Sequence, residues 1–291
     1  MADAPVDPRL DPPAFGSMPT VARVDEVASR VIAPNASPMT LDGTNTYVID
    51  AGVGRAALVL DPGPDDPAHR RAVDALIAER DLSIVGVVVT HHHADHAAAA
   101  AAWARSWAVP VIAASAEVAG PDGRVVAAGD QLAVDELRIR VIETPGHTQD
   151  SISLRLPTGS VCTGDHILGR GTTVVAHPDG TLTQYLDSLR RLLDLGPAAL
   201  LPGHGPHMTQ DPAAVLRFHL AHRAFRLGQI RDVVRRRPAT ADEVVAVLYA
   251  AYPPVVWPAA TASTLAGFDH LVLLGEAVLE GDRLRLLAGA S

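Results

Sequence analysis

Four histidines and an aspartate fall within one short run, Thr90-His91-His92-His93-Ala94-Asp95-His96. Neutral imidazole and carboxylate are ligands that suit Zn²⁺. The run follows Ile84-Val85-Gly86-Val87-Val88-Val89, a short, mostly β-branched apolar stretch that reads as a buried strand. The histidines therefore sit where a strand ends and the chain turns, a position rigidly held yet open to solvent. Alternate residues, His91 and His93, can converge on one ion, and Asp95 and His96 just beyond would turn toward a second. His92 points to the opposite side and is read as a bystander. A purification tag is not expected mid-chain behind a core strand.

Three further metal-competent residues stand at strand-to-turn junctions: His147 in Thr144-Pro145-Gly146-His147-Thr148, Asp165 in Thr163-Gly164-Asp165-His166, and His204 in Leu201-Pro202-Gly203-His204-Gly205-Pro206. Any one alone reads as turn chemistry; together they predict four strand ends delivering ligands to one rim. Two zinc ions about 3.5–4 Å apart can share a hydroxide and bring the pKa of its parent water towards neutrality. Such a hydroxide would serve as a nucleophile, with the metals stabilising charge on an attacked carbonyl or phosphoryl oxygen. No serine or cysteine nucleophile is needed, and Cys162, inside a strand, is read as a small core residue.

Other polar residues are placed around this site. Asp61, in Asp61-Pro62-Gly63, is expected to hydrogen-bond a ligand imidazole. His166 either lines the pocket or supports it from behind. His207 is a proton donor to a leaving group or a solvated side chain. Asn45 either faces the metals or caps its hairpin, the cap being preferred. Gly169-Arg170-Gly171-Thr172-Thr173 lacks the Gly-Lys-Ser/Thr ending of a phosphate loop.

The elements that must carry these residues alternate between strand and helix patterns. Strands are predicted at 46–50, 57–61, 84–90, 111–114, 137–143, 152–156, 160–163 and 199–201, and helices at 67–80, 95–107 and 182–195. In the last, Leu182, Tyr185, Leu186, Leu189, Leu192 and Leu193 recur at helical spacing. This mixture predicts a layered α/β body. A long helix over 213–236 leads out of it. Helices at 240–252 and 260–280 follow, the second interrupted near Gly267 or Gly275, and Gly281-Asp282 joins 277–279 to 283–287 as a hairpin. Helix, helix, hairpin describes a winged helix. The chain is thus divided into a flexible segment (1–20), a catalytic domain (21–212) and a winged-helix-like domain (213–291).

Composition narrows the function classes. The chain has 291 residues, 48% apolar, which suits one large and one small domain. No apolar run reaches the ~18 residues of a membrane span, and the acidic, Pro-rich start carries no secretory signal. A single cysteine excludes an intrachain disulfide and fits a reducing cytoplasm. There is no lysine. Residues 213–291 hold nine arginines and seven acids (+2), leaving fifteen and twenty-six (−11) for residues 1–212, which recovers the total of −9. So acidic a body does not bind nucleic acid by phosphate neutralisation alone. Arg217, Arg223 and Arg226 on the long helix are the candidates for a local basic track. The region 261–274 contains no arginine, so sequence-specific DNA reading is not expected, and a covering or dimerising role for the small domain is preferred.

The order His91–His96, Pro145-Gly146-His147, Gly164-Asp165, Gly203-His204 resembles the metallo-β-lactamase superfamily, over about residues 40–206. The resemblance implies an αββα sandwich with two zinc ions at one edge: His91, His93 and His147 on the first, Asp95, His96 and His204 on the second, and Asp165 bridging both. Asp95 and Asp165 then stand as the catalytic carboxylates. Residues 38–47, residues 164–173 and the tail are similar to the lactamase-like protein 2 group, whose mitochondrial member is an endoribonuclease preferring single strands. Ala97-Ala98-Ala99 departs from the paired glycines of many members, which alters helix flexibility more than ligation. Superfamily members that bind iron for oxygen reduction usually carry Glu where this chain has His93, so zinc and hydrolysis are favoured.

Cleavage of single-stranded RNA is the leading expectation from this resemblance. Thr90–His96 also resembles the thioester hydrolases of the glyoxalase II group, so a small thioester or other acyl substrate is the alternative. A metal- or nucleic-acid-binding protein without turnover is the rival from another class. No membrane partner is expected, and oligomeric state is left open.

Overall fold

The computed structural model describes residues 4–9, 12–52 and 54–288. Twelve strands form two sheets. The first contains β1 (Val21–Asp25), β2 (Ala28–Ile32), β3 (Asn45–Asp50), β4 (Ala56–Leu60), β5 (Ser83–Val88), β6 (Val111–Ala113) and β7 (Arg124–Val125), hydrogen-bonded in chain order. Its pairs are antiparallel up to β4 and parallel from β4 to β7. The second contains β8 (Gln131–Val134), β9 (Leu137–Glu143), β10 (Ile152–Arg155), β11 (Val161–Gly164) and β12 (Leu200–Pro202), in the order β12-β11-β10-β9-β8, with only β11 and β12 parallel.

The sheets face each other because their inward side chains are apolar. Tyr47, Ile49, Leu58, Leu60 and Val88 of the first pack on Leu132, Ile139, Val141, Ile152 and Leu154 of the second, with Cys162 fully buried between them. Helices α1 (Pro67–Glu79), α2 (Ala94–Ala97), α3 (Ala100–Trp107) and α4 (Ala116–Ala119) follow strands of the first sheet. Val73 and Leu76 of α1 and Trp103 of α3 cover Val48 and Val59 on its outer face. On the second sheet, α5 (Leu182–Asp194) buries Tyr185, Leu186, Leu189 and Leu192, the apolar stripe of its sequence. These layers are the αββα sandwich.

Helix α6 (Pro212–Arg236) leads to α7 (Ala241–Leu248), a 3₁₀ turn (Pro254–Val256), α8 (Trp257–Leu273) and the hairpin β13 (Ala277–Glu280)–β14 (Arg283–Leu286), a winged helix. Thr240 and Glu243 close a capping box at the start of α7. Val244, Phe268, Leu271 and Leu284 share one core with Leu189 and Leu192 of α5 and Ile230 of α6, so the tail is continuous with the outer layer of the second sheet. A side chain such as Phe268, buried to 1% exposure, is worth about 3–5 kcal/mol against alanine at such a position. Near the N-terminus, Arg9 donates to Leu168 O (2.7 Å) and Gly171 O (2.6 Å), which ties down a segment expected to be flexible.

Several boundaries differ from the sequence reading. The helix expected over 95–107 breaks at Ala98–Ala99, where Ala99 N instead donates to Gly63 O. The one expected over 260–280 is α8, which stops before Gly275 at φ +72°, a left-handed residue that ends the helix. The helix expected over 240–252 ends at Leu248. Strands β1, β2, β7 and β8 are additions. Val85 is 40% exposed, so only the second half of β5 is a buried strand.

Candidate metal centre

The site lies where strands of both sheets end on one rim. β4 ends one residue before Asp61, β5 runs into His91, β9 leads to His147, β11 is followed by Asp165, and β12 by His204. Backbone hydrogen bonds join the sheets there: Ile152 N donates to Thr90 O (2.9 Å) and Asn45 N to Gly203 O (2.8 Å).

Three sets of ligand atoms lie within 4.8 Å of one another: His91, His93 and His147; His91, His96 and Asp165; and Asp95, His96 and His204. His93 Nδ1 stands 3.1 Å from His91 Nε2 and 3.0 Å from His147 Nε2. His204 Nε2 stands 3.2 Å from His96 Nε2 and 3.1 Å from Asp95 Oδ2. The Asp165 carboxylate reaches both groups, 3.9 Å from His147 Nε2 and 3.4 Å from His96 Nε2 and from His204 Nε2. All seven residues singled out from sequence therefore converge.

Outer hydrogen bonds aim the rings. His96 Nδ1 donates to Asp61 Oδ2 (2.9 Å), His147 Nδ1 to Val174 O (2.6 Å) and His204 Nδ1 to Gly43 O (3.2 Å). His91 Nδ1 donates to Thr90 Oγ1 (3.0 Å), whose hydroxyl donates on to Asp61 Oδ2 (2.8 Å). With each Nδ1 so occupied, the four Nε2 atoms turn their lone pairs inward, which is how metal-binding imidazoles are held. His93 presents Nδ1 instead.

Charge divides the cluster into two halves. Burial, reinforced by the neighbouring rings, holds His91 well below the ordinary imidazole value, and burial brings His93 down to about 4 and lowers His147. Burial acts in the same sense on His96 and His204, but carboxylates outweigh it. Asp165 and Asp61 hold His96 well above the ordinary value, and Asp165 and Asp95 raise His204 to about 9. Burial would raise Asp165 and Asp95, yet His204 and His96 bring both below the usual carboxylate range. A cation entering this half replaces protons rather than adding to unbalanced charge.

The donor set fits divalent metal: five imidazole nitrogens, two ionised carboxylates, and an Asp165 Oδ1 that is buried without a hydrogen-bond donor. Close backbone approach makes room for it. A Cβ on Gly203 would lie 2.5 Å from Asp165 Oδ1, and one on Gly164 would lie 2.6 Å from Thr90 Oγ1.

The supporting residues divide. Asp61 takes its expected place beneath His96. Asn45 neither faces the cluster nor caps its hairpin: its buried amide donates to Pro202 O (2.9 Å) and Gly205 O (2.8 Å), stapling β3 to the His204 loop. His166 does not line the cavity. Its ring is buried against Tyr185, centroids 4.6 Å apart, with both nitrogens free of hydrogen bonds. His207 opens into a separate cleft with Arg9 and Pro206. His92, at the rim, pairs with Asp150 (3.0 Å).

The basic track on α6 does not form. Arg217 pairs with Asp211 (3.7 Å), and Arg226 lies over the Tyr249 ring (4.8 Å). Arg223 is buried over Tyr185 and donates to Thr173 O. Sequence reading also missed Thr90 as a link between Asp61 and His91, the carbonyls of Gly43 and Val174, and the tail's share of the site. A cavity of about 340 Å³ opens on His93, Asp95, His147 and Asp165, and Ala259 and Ala262 of α8 form part of its wall. Among the described residues of its lining, Ala259 and Ala262 alone come from the far end of the chain, and alanines carry no sequence signal.

Comparison with known proteins agrees with this geometry. The profile described as "Metallo-beta-lactamase superfamily" matches residues 39–204, and that described as "Beta-lactamase associated winged helix domain" matches 240–284. The chain is 30% identical over 270 residues to the beta-lactamase-like protein 2 homolog of Drosophila melanogaster, covering 84% of this chain and 87% of that one. It is also 30% identical over 277 residues to an atrochrysone carboxyl ACP thioesterase of Aspergillus chevalieri, covering 91% and 85%. A beta-lactamase domain protein from Burkholderia ambifaria shares the fold with a TM-score of 0.79 at 23% identity, over 95% of this chain and 97% of that one. With a cluster of five histidines and two aspartates at one rim, an αββα body and a winged-helix tail, the chain belongs to the metallo-β-lactamase superfamily.

Proposed function

We propose that the chain is a dinuclear zinc hydrolase of thioesters or related acyl esters with an apolar acyl group. The observation that carries this reading is the cavity beside the His/Asp cluster: Met39, Leu168, Val174, Ala176, Ala259 and Ala262 form its apolar wall beside Thr173 and His177, and among the described residues no arginine lines it. An acyl chain gains about 0.8 kcal/mol per methylene from such a wall, whereas a polyphosphate backbone needs cationic partners. The similarity to a protein named as a thioesterase supports the same reading.

His91, His93 and His147 would hold one ion and Asp95, His96 and His204 the other, with Asp165 between them. Bound there, divalent ions acidify water and polarise the attacked carbonyl. The chain's own groups do the rest. Asp95, the more exposed carboxylate at 31%, borders the cavity ionised and would accept the proton of the attacking water at Oδ1, the oxygen not set against His204. The C–O bond forms, the C–S bond breaks, and the proton passes to the departing thiolate. Asp61, Gly43 O and Val174 O keep the rings from turning, and the apolar wall holds the acyl chain out of water.

Single-stranded RNA cleavage is the second reading. Arg235, Arg236, Arg237 and Arg285 line a groove on the tail, which supports it, although Asp232, Glu243 and Glu280 pair with three of the four. Assay of the zinc-loaded protein side by side on an octanoyl thioester, S-lactoylglutathione, labelled single-stranded RNA and a chromogenic β-lactam separates the two. Thiol release with RNA left intact is expected; RNA cleavage without thiol release reverses the order.

A further inference from the structure

We propose that the C-terminal domain sets which acyl chains the site accepts, through Ala259 and Ala262 of α8; this rests on the acyl-hydrolase reading above. Three residues apart, they share one face of the helix and border the same cavity as His93, Asp95, His147 and Asp165. The helix is fixed there. Ser263 Oγ accepts the Val175 N–H (3.2 Å), Asp269 meets His177 Nε2 (2.9 Å), and His270 Nδ1 meets Thr183 Oγ1 (2.7 Å). The following turn buries Ala266 and Phe268 in the core shared with α5. The wall is therefore held on a rigid helix rather than on a swinging loop.

Alanine ends at its β-carbon, so at both positions the cavity extends to the helix surface. A larger side chain occupies that space from the wall inward and excludes the end of an acyl chain before it reaches the His/Asp cluster. Long chains lose most, because each methylene kept from water favours binding about fourfold.

The test uses the full chain loaded with zinc, as wild type, Ala259→Leu and Ala262→Leu, with Ala259→Val and Ala262→Val as smaller steps should a leucine variant fail to fold. The kcat/KM ratio for the octanoyl over the acetyl thioester of N-acetylcysteamine is measured by thiol release, and octanoate binding by calorimetry. In the variants the ratio is expected to fall at least tenfold and the octanoate Kd to rise by a similar factor. A ratio and a Kd within twofold of wild type in the folded variants overturn the proposal. Octanoate binding that weakens in the variants, in a wild type that turns over neither thioester, leaves the wall role standing and removes the acyl-hydrolase reading. A wild type that neither binds octanoate nor releases thiol removes both.

Discussion

The Asp61 carboxylate accepts the Nδ1–H of His96 at 2.9 Å while its other oxygen accepts the Thr90 N–H at 2.7 Å. One buried side chain thus ties the end of β4 to the turn after β5 and sets the ring that faces Asp165. Its backbone is left-handed, φ +50°, a region that aspartate and asparagine tolerate better than most residues.

Asp61→Asn is therefore expected to keep the backbone and lose the charge that holds His96. Metal affinity should fall about 10–100-fold, the usual effect of removing such a partner. Competition with a chromogenic chelator measures it, and an unchanged affinity would mean that His96 is oriented by packing alone.

Asp165→Ala and His96→Ala remove groups that touch both halves of the cluster. Each is expected to lower kcat by about a thousandfold or more, the scale of a lost metal contact, with the protein still folded by circular dichroism. Full activity in either variant, with metal content confirmed by elemental analysis, rules out the two-ion site.

Gly203→Ala tests the close approach without touching a ligand. The added Cβ would stand 2.5 Å from Asp165 Oδ1 and 2.7 Å from His96 Cε1, closer than any carbon settles. Both side chains must give way, so metal bound per chain should drop while the melting temperature moves little. Retention of full metal occupancy would show that the loop can retreat.

Acid should destabilise the protein partly through His69, which is 1% exposed and whose burial lowers its pKa to about 4. The unfolded chain takes up this proton near pH 6.5 and the folded chain only near 4. Stability from this group is complete above about 6.5 and is lost as pH falls towards 4, with a slope of at most about 1.4 kcal/mol per pH unit for one proton. His69→Gln, which can still donate to Thr46 Oγ1, should flatten the denaturation midpoint across that window. A midpoint with the wild-type slope would remove His69 from the account.

The sequence by itself determined which seven residues cluster and the layered fold. His91, His93, Asp95 and His96 are adjacent in the chain, and His147, Asp165 and His204 each follow an apolar strand at a Gly-marked turn, so both the chemistry and the placement are written locally. Parallel and antiparallel strands feeding one rim then bring them together. Tertiary structure alone decided what surrounds them. Asn45 finds Pro202 and Gly205 across more than 150 residues, and Arg223 turns inward to Thr173 O instead of out to solvent. Ala259 and Ala262, apolar residues in an apolar helix, become part of the cavity because Phe268 and Leu271 dock α8 on α5. Such contacts depend on which faces meet after folding, and no local spacing encodes that. The clustered His and Asp residues are legible in one dimension, while the shape of the cavity beside them exists only in three.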